Sequence, residues 1–352
     1  MSYIDGLHAL KLQMPARVPR TEYSAESHWE LLTAVTGIAV SEDSPADVKA
    51  RARRAFFKAW NYDFFWSVLV HHQPLEKMHT RMGHAEYAAG GVDRDDQITC
   101  PFTAPEEALA FDPAAVYGPC DKAAWTRAFE AHYHANCAAN PDGVNMTGIY
   151  ITCVSGLIEI FGWDMLLLAA GTDPAAFGRL TDRYTAWIQG YFDALAAADV
   201  PVVMVHDDIV WTSGPFIAPA WYREHVFPAY QRFFQPLRDS GKTIVYTSDG
   251  NYSLFIDDVV AAGAHALVLE PCTDMQYIAD KHGKTHAFIG NADTRILLGG
   301  TKTEIYSEVA RCMAIGKACP GYFLAVGNHI PANTPVQNAL WYNEAYEKFS
   351  RR

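Results

Sequence analysis

No Cys-x-x-Cys pair occurs in the chain, and its seven cysteines (Cys100, Cys120, Cys137, Cys153, Cys272, Cys312, Cys319) are odd in number and widely spread. Neither a thiolate zinc knuckle nor a disulfide framework is therefore indicated. Positive charge is scarce: 28 Lys and Arg stand against 40 Asp and Glu, for a formal net charge of -12. Binding a phosphate backbone needs clustered cations, so a nucleic-acid partner is disfavoured. There is no unbroken run of about 18 apolar residues, and the opening MSYIDGLHALKLQMPARVPR lacks the apolar stretch and small-residue cleavage site of a signal peptide. The expectation is a cytoplasmic protein without a membrane span.

Apolar material is plentiful. With 352 residues, 50% hydrophobic and 13% aromatic, the chain can bury a core large enough for one barrel of about 250 residues with additions. The additions are an N-terminal extension over residues 1–60, with helical periodicity at 28–36 and 46–60, and an insertion with helices over 71–145. The insertion is rich in turns and acids, including Gly90, Gly91, Asp93, Asp95 and Asp96. The stretch Thr243 to Asn251, TIVYTSDGN, organises the rest: a short β-branched strand runs directly into Asp249. Four other strand-like runs end the same way, in His206-Asp207-Asp208, Glu270, Asn291 and His329. These ends recur at intervals of roughly 20 to 45 residues, bracketing the ~30 per unit of a barrel of eight βα repeats.

A right-handed βα repeat brings all five polar ends to one rim. Asp249, Glu270 and His329, with Cys272 or His206 nearby, offer carboxylates, an imidazole and an optional thiolate, a set that fits tetrahedral zinc with an open position. His206, Asp207, Asp208 and Asn291 are candidate catalytic groups, a His beside carboxylates being a plausible proton donor near neutral pH. Each has a structural alternative: Asp249 as a helix cap, Glu270 paired with Arg295, His329 bonded to its own loop, Cys272 merely buried. Arg20 and Tyr23, in an extended entry segment, and Trp211 and Tyr246 are candidates for holding substrate.

The motifs HDDI (His206 to Ile209), SDGN (Ser248 to Asn251) and VGNHIPANTPVQNA (Val326 to Ala339) resemble those of the uroporphyrinogen decarboxylase superfamily, from about residue 15 to the end. The resemblance implies a (β/α)8 TIM barrel, and it extends to the cobalamin-linked methyltransferases that feed methyl groups to corrinoid proteins. Two departures matter. The decarboxylases' Arg-rich R-Q-A-G-R loop is replaced by RVPRTEYS, leaving Arg17 and Arg20 against a tetrapyrrole's many carboxylates. The thiol-directed methyltransferases' H-x-C is replaced by Thr247-Ser248-Asp249, and their later Cys by Asn328-His329. A carboxylate and imidazole set leaves zinc harder, which suits an oxygen substrate. The resemblance then implies the methyltransferase component of an O-demethylase, moving methyl from a methoxylated aromatic to the Co(I) of a corrinoid protein. A methylamine or betaine-type donor, a decarboxylase and a non-catalytic ligand-binding barrel are the alternatives, and a homodimer is left open.

Overall fold

Val202–His206 is buried at every position, as expected of a parallel strand covered on both faces, which reads as a continuous apolar run. It belongs to a six-stranded, wholly parallel sheet in the order Tyr322–Phe323, Ala287–Ile289, Ala266–Val268, Thr243–Thr247, Val202–His206, Thr147–Ile149. The structure is a computed structural model describing residues 3–80, 86–88, 91–93 and 99–352. Gly90, Asp95 and Asp96 of the insertion lie outside the described residues.

The two outer strands of this sheet are joined through extended segments near residues 20 and 63. Arg20 bridges in parallel to both Leu324 and Tyr62, and Phe64 bridges to Val144. Side chains alternate between two cores, as period two requires. Phe64, Val144, Met146, Val202, Met204, Val245, Ala266, Val268, Ala287, Ile289 and Phe323 pack together on one face. Their neighbours Val203, Val205, Ile244, Tyr246, Leu267, Phe288 and Tyr322 pack with the helices on the other.

Those helices start where the sequence signals them. Asp173 caps Pro174–Ala197 by accepting from the Ala176 amide, and Thr301 with Glu304 forms a capping box at Lys302–Gly316. The helical run over residues 219–240 is broken into Pro219–Trp221, a π turn over Tyr222–Val226 and Phe227–Asp239. Pro228 has no N–H to continue an α ladder, and the backbone takes the wider turn just ahead of it. Val154–Thr172 is long and apolar enough to cross a membrane by length and composition, but 61% of its apolar window is buried within the chain, and Glu159 and Asp164 interrupt it.

Arg20 is not at the rim. It is 0% exposed, its Nε donates to Glu22 Oε1 at 2.9 Å, its Nη1 to Asn343 Oδ1 at 2.6 Å, and its guanidinium lies 4.2 Å from the Trp60 ring centroid. It faces the helix layer and locks strand to helix. Arg20→Ala strands the buried Glu22 carboxylate without its cation, so we expect a loss of about 3–5 kcal/mol, read as a lower denaturant midpoint, with Arg20→Lys losing less.

Candidate functional site

Strand parity decides which polar side chains meet. His206 and Asp208 share the inward parity of Val202 and Met204, Asp249 that of Val245 and Thr247, and Glu270 that of Ala266 and Val268. His206, Asp249 and Glu270 line a cavity of about 360 Å³ together with Tyr23, Tyr150, Asn328 and His329, and Asp208 stands behind His206. The cavity sits at the carboxyl ends of the parallel strands, where such folds place their sites.

His206 stacks on Tyr150 with ring centroids 3.7 Å apart and 11° between planes, and its Nε2 lies 3.2 Å from Asp208 Oδ1. Burial alone would lower its pKa, but the charge and hydrogen bond of Asp208, with Asp249 and Asp207 behind them, push it up to about 9. The Asp249 amide donates to Asp208 Oδ1 at 2.9 Å, tying the two strand ends together. Glu270 accepts from the Gly250 amide at 3.0 Å and from the Asn328 side-chain amide at 2.6 Å. Gly250 has φ 86°, and an added Cβ would come within 2.7 Å of the Trp211 backbone, so this loop requires glycine.

Among the described residues, one group has metal-ligand donor atoms all within 4.8 Å of one another: His206, Asp208 and Asp249. One nitrogen and two carboxylate oxygens with an open side toward the cavity fit a three-ligand zinc site of the catalytic kind. Of the expected metal set, Asp249 is in this group, with His206, which was expected nearby. Glu270 lines the same cavity but is engaged by Gly250 and Asn328. His329 stands where the entry segment meets the cavity, its Nδ1 bonded to Ser24 Oγ and its ring 6.0 Å from that of Tyr23. Cys272 lies outside the lining, 3.9 Å from Glu270 Oε2, and burial, aided by Glu270's charge, pushes its thiol up to about 11. Arg295 pairs with Asp293 rather than with Glu270.

The remaining expected residues separate by parity or position. Tyr23 lines the cavity. Tyr246 is fully buried on the outer face against Tyr230 and Tyr252. Trp211 sits on a short hairpin, 44% exposed, beside Trp163 and Phe216. Asn291 donates to the carbonyls of Glu270 and Thr273 and accepts from Arg311, bracing the loops below the cavity. Tyr150 and Asn328 line the cavity without having been singled out. Tyr150 directly follows the Thr147–Ile149 strand, a strand end like the one that marked Asp249.

Asp207, one residue from His206, points the opposite way. Its Oδ1 accepts from the Ser155 amide at 2.6 Å and the Cys153 amide at 3.2 Å, and its Oδ2 from Tyr230 Oη at 2.6 Å. Asp207→Ala leaves three buried donors without an acceptor, and we expect a cost of about 3 kcal/mol, whereas Asn keeps most contacts. Burial pushes the Asp207 carboxyl up to about 6. Because that lies above its ordinary value of about 3.9, its contribution to folding is complete below the ordinary value and is lost as pH rises through 6. Asp207→Asn should therefore be less destabilising, relative to the parent, at neutral pH than near pH 4, as measured by urea unfolding.

Side chains converging at the carboxyl ends of a parallel sheet define an α/β protein with a candidate site at the strand termini. This chain belongs to the uroporphyrinogen decarboxylase family: residues 152–349 match the family described as Uroporphyrinogen decarboxylase (URO-D). It is 28% identical over 178 residues to the uroporphyrinogen decarboxylase of Syntrophotalea carbinolica, covering 51% of this chain and 50% of that protein. It is likewise 28% identical over 176 residues to that of Thermus thermophilus, covering 50% of each. The chain thus spans about half the length of the curated relatives it matches. A solved methyltransferase from Methanosarcina mazei superposes over 98% of both chains with a TM-score of 0.62 at 18% identity, a likeness of fold.

Proposed function

We propose that the protein is the substrate-side methyltransferase of a corrinoid-dependent O-demethylation, taking methyl from a methoxylated aromatic to the Co(I) of a partner corrinoid protein. In this reading the sheet and its two bridging segments are a (β/α)8 barrel, and zinc is held by His206, Asp208 and Asp249. The observation that carries it is that nitrogen–oxygen donor group opening on an aromatic-walled cavity of about 360 Å³. Bound there, zinc would supply a hard Lewis acid able to draw charge from an oxygen leaving group. The chain does the rest. Tyr23 and Tyr150 offer ring faces to an aryl group, while Glu270 holds Asn328 and the Gly250 amide in place. The likeness of fold to a methyltransferase supports the class of reaction.

Decarboxylation of a tetrapyrrole fits less well. No Lys or Arg is among the described residues lining the cavity, and many substrate carboxylates would need such cations. The volume is also toward the low end of ligand pockets, about 300–1,000 Å³. A second reading, a methylated amine as donor, is favoured by the carboxylates of Asp249 and Glu270 standing beside Tyr23 and Tyr150, a setting that attracts organic cations. Elemental analysis of the purified protein, followed by chromatography after incubation with reduced corrinoid and panels of methoxyarenes and methylated amines, tests these readings. We expect bound zinc and release of the phenol. Demethylated amine with no phenol would transfer the function to the second reading.

A further inference from the structure

Asn328 has a backbone φ of 75°, in the left-handed region that asparagine tolerates and most side chains do not. The loop around it is pinned on both sides. The Gly327 amide donates to the Ala292 carbonyl at 2.8 Å. The Thr294 hydroxyl lies 2.8 Å from the carbonyl of Gly327 and 3.1 Å from that of His329, straddling residue 328. A Cβ on Gly327 would come within 2.2 Å of Pro271 Cδ, so glycine lets the loop press against the turn that carries Glu270.

This backbone aims one side chain at two acids. Asn328 Nδ2 lies 2.6 Å from Glu270 Oε1 and 3.4 Å from Asp249 Oδ2. An NH2 group has two hydrogens, so one nitrogen can serve both carboxylates, and with an acid on each side the nitrogen of the amide, not its oxygen, must face them. Two carboxylates reached by a single nitrogen repel each other. Glu270 is anchored a second time, by the Gly250 amide at 3.0 Å, whereas Asp249 is one of the three donors grouped with His206 and Asp208. A donor held on one oxygen of a ligating carboxylate orients the other oxygen toward the metal.

We propose that Asn328 is the positioning residue of the candidate metal site: braced by Glu270, its NH2 group stands between the two carboxylates and keeps Asp249 turned toward His206 and Asp208. The loop geometry and the two contacts from one nitrogen carry the inference, which rests on the zinc reading of the site.

Zinc competition against a chromophoric chelator, on the full chain, tests it. Asn328→Gly suits the φ of 75° and removes only the amide, and it should weaken zinc roughly 10–100-fold. In a Glu270→Gln background, where the facing charge is gone, the same substitution should cost no more than about threefold, a coupling read as a double-mutant cycle. Unchanged affinity in Asn328→Gly would overturn the proposal, as would an equal loss in both backgrounds, since Glu270 would then play no part. Crystal structures of the metal-free parent and of metal-free Asn328→Gly separate this role from the zinc reading. The Asp249 carboxylate should stay beside His206 and Asp208 in the parent and turn away from them in the variant. A parent that binds no zinc, with Asp249 displaced in the variant, would overturn the zinc reading and support the positioning role. Asp249 in the same place in both structures would overturn the positioning role, whatever the zinc content.

Discussion

Asp249→Asn should lower methyl transfer by on the order of 10²–10³-fold, the loss usual when a charge poised at the reacting group is removed. The substitution is nearly isosteric, so the fold and the hydrogen bond that the residue 249 backbone N–H donates to Asp208 Oδ1 should survive. What it removes is one anionic donor of the His206, Asp208 and Asp249 group. Bound zinc should fall with activity, because a three-ligand site holds little once one ligand goes. Glu270→Gln, at a residue in the same cavity but occupied with Gly250 and Asn328, should keep its zinc. Equal zinc content in the Asp249→Asn variant and the parent would remove Asp249 from the ligand set.

The second large effect is on metal affinity against pH. With its pKa pushed up to about 9, His206 is an imidazolium at neutral pH, holding a proton where a metal ligand must offer a lone pair. Zinc must displace that proton, so apparent affinity should rise roughly tenfold per pH unit up to about pH 9 and level off above it. Asp208→Asn removes the strongest upward influence on His206, since only burial and the more distant acids remain. The variant's plateau should begin at lower pH, although with weaker binding overall. Competition against a chromophoric chelator reads both curves. A profile flat across neutral pH would show that His206 does not ligate.

The arrangement of the sheet was legible because parallel strands buried on both faces leave unmistakable apolar runs, VVMV at 202–205 and TIVY at 243–246 among them. The entry segment around Arg20 reads as extended, but its pairing with the segment around Asp63 does not, since both put charges into strand positions whose partners, Arg17 for Asp63 and Glu22 for Arg20, only the fold brings together. At the candidate site, the polar strand ends pointed to the loops around the cavity but not to which side chains face it. Period-two alternation, already present in the sequence, places His206 and Asp208 on the face of Met204 and sends Asp207 to the face of Val205. The same count sends Tyr246 outward and brings Asp249 inward. Cys272 and His329 were grouped with Asp249 on chemical type. Their distances depend on how each loop leaves its strand, which no local pattern records.

The most direct test of the proposed reaction is the absorbance spectrum of a corrinoid protein, reduced to Co(I), mixed under anaerobic conditions with this protein and a methoxyarene carrying an ortho hydroxyl. The expected result is conversion of the Co(I) band to that of methyl-Co(III), with one phenol released per methyl moved and with turnover lost on zinc removal. Formation of methyl-Co(III) from a methylated amine, with none from any methoxyarene in a broad panel, would contradict it.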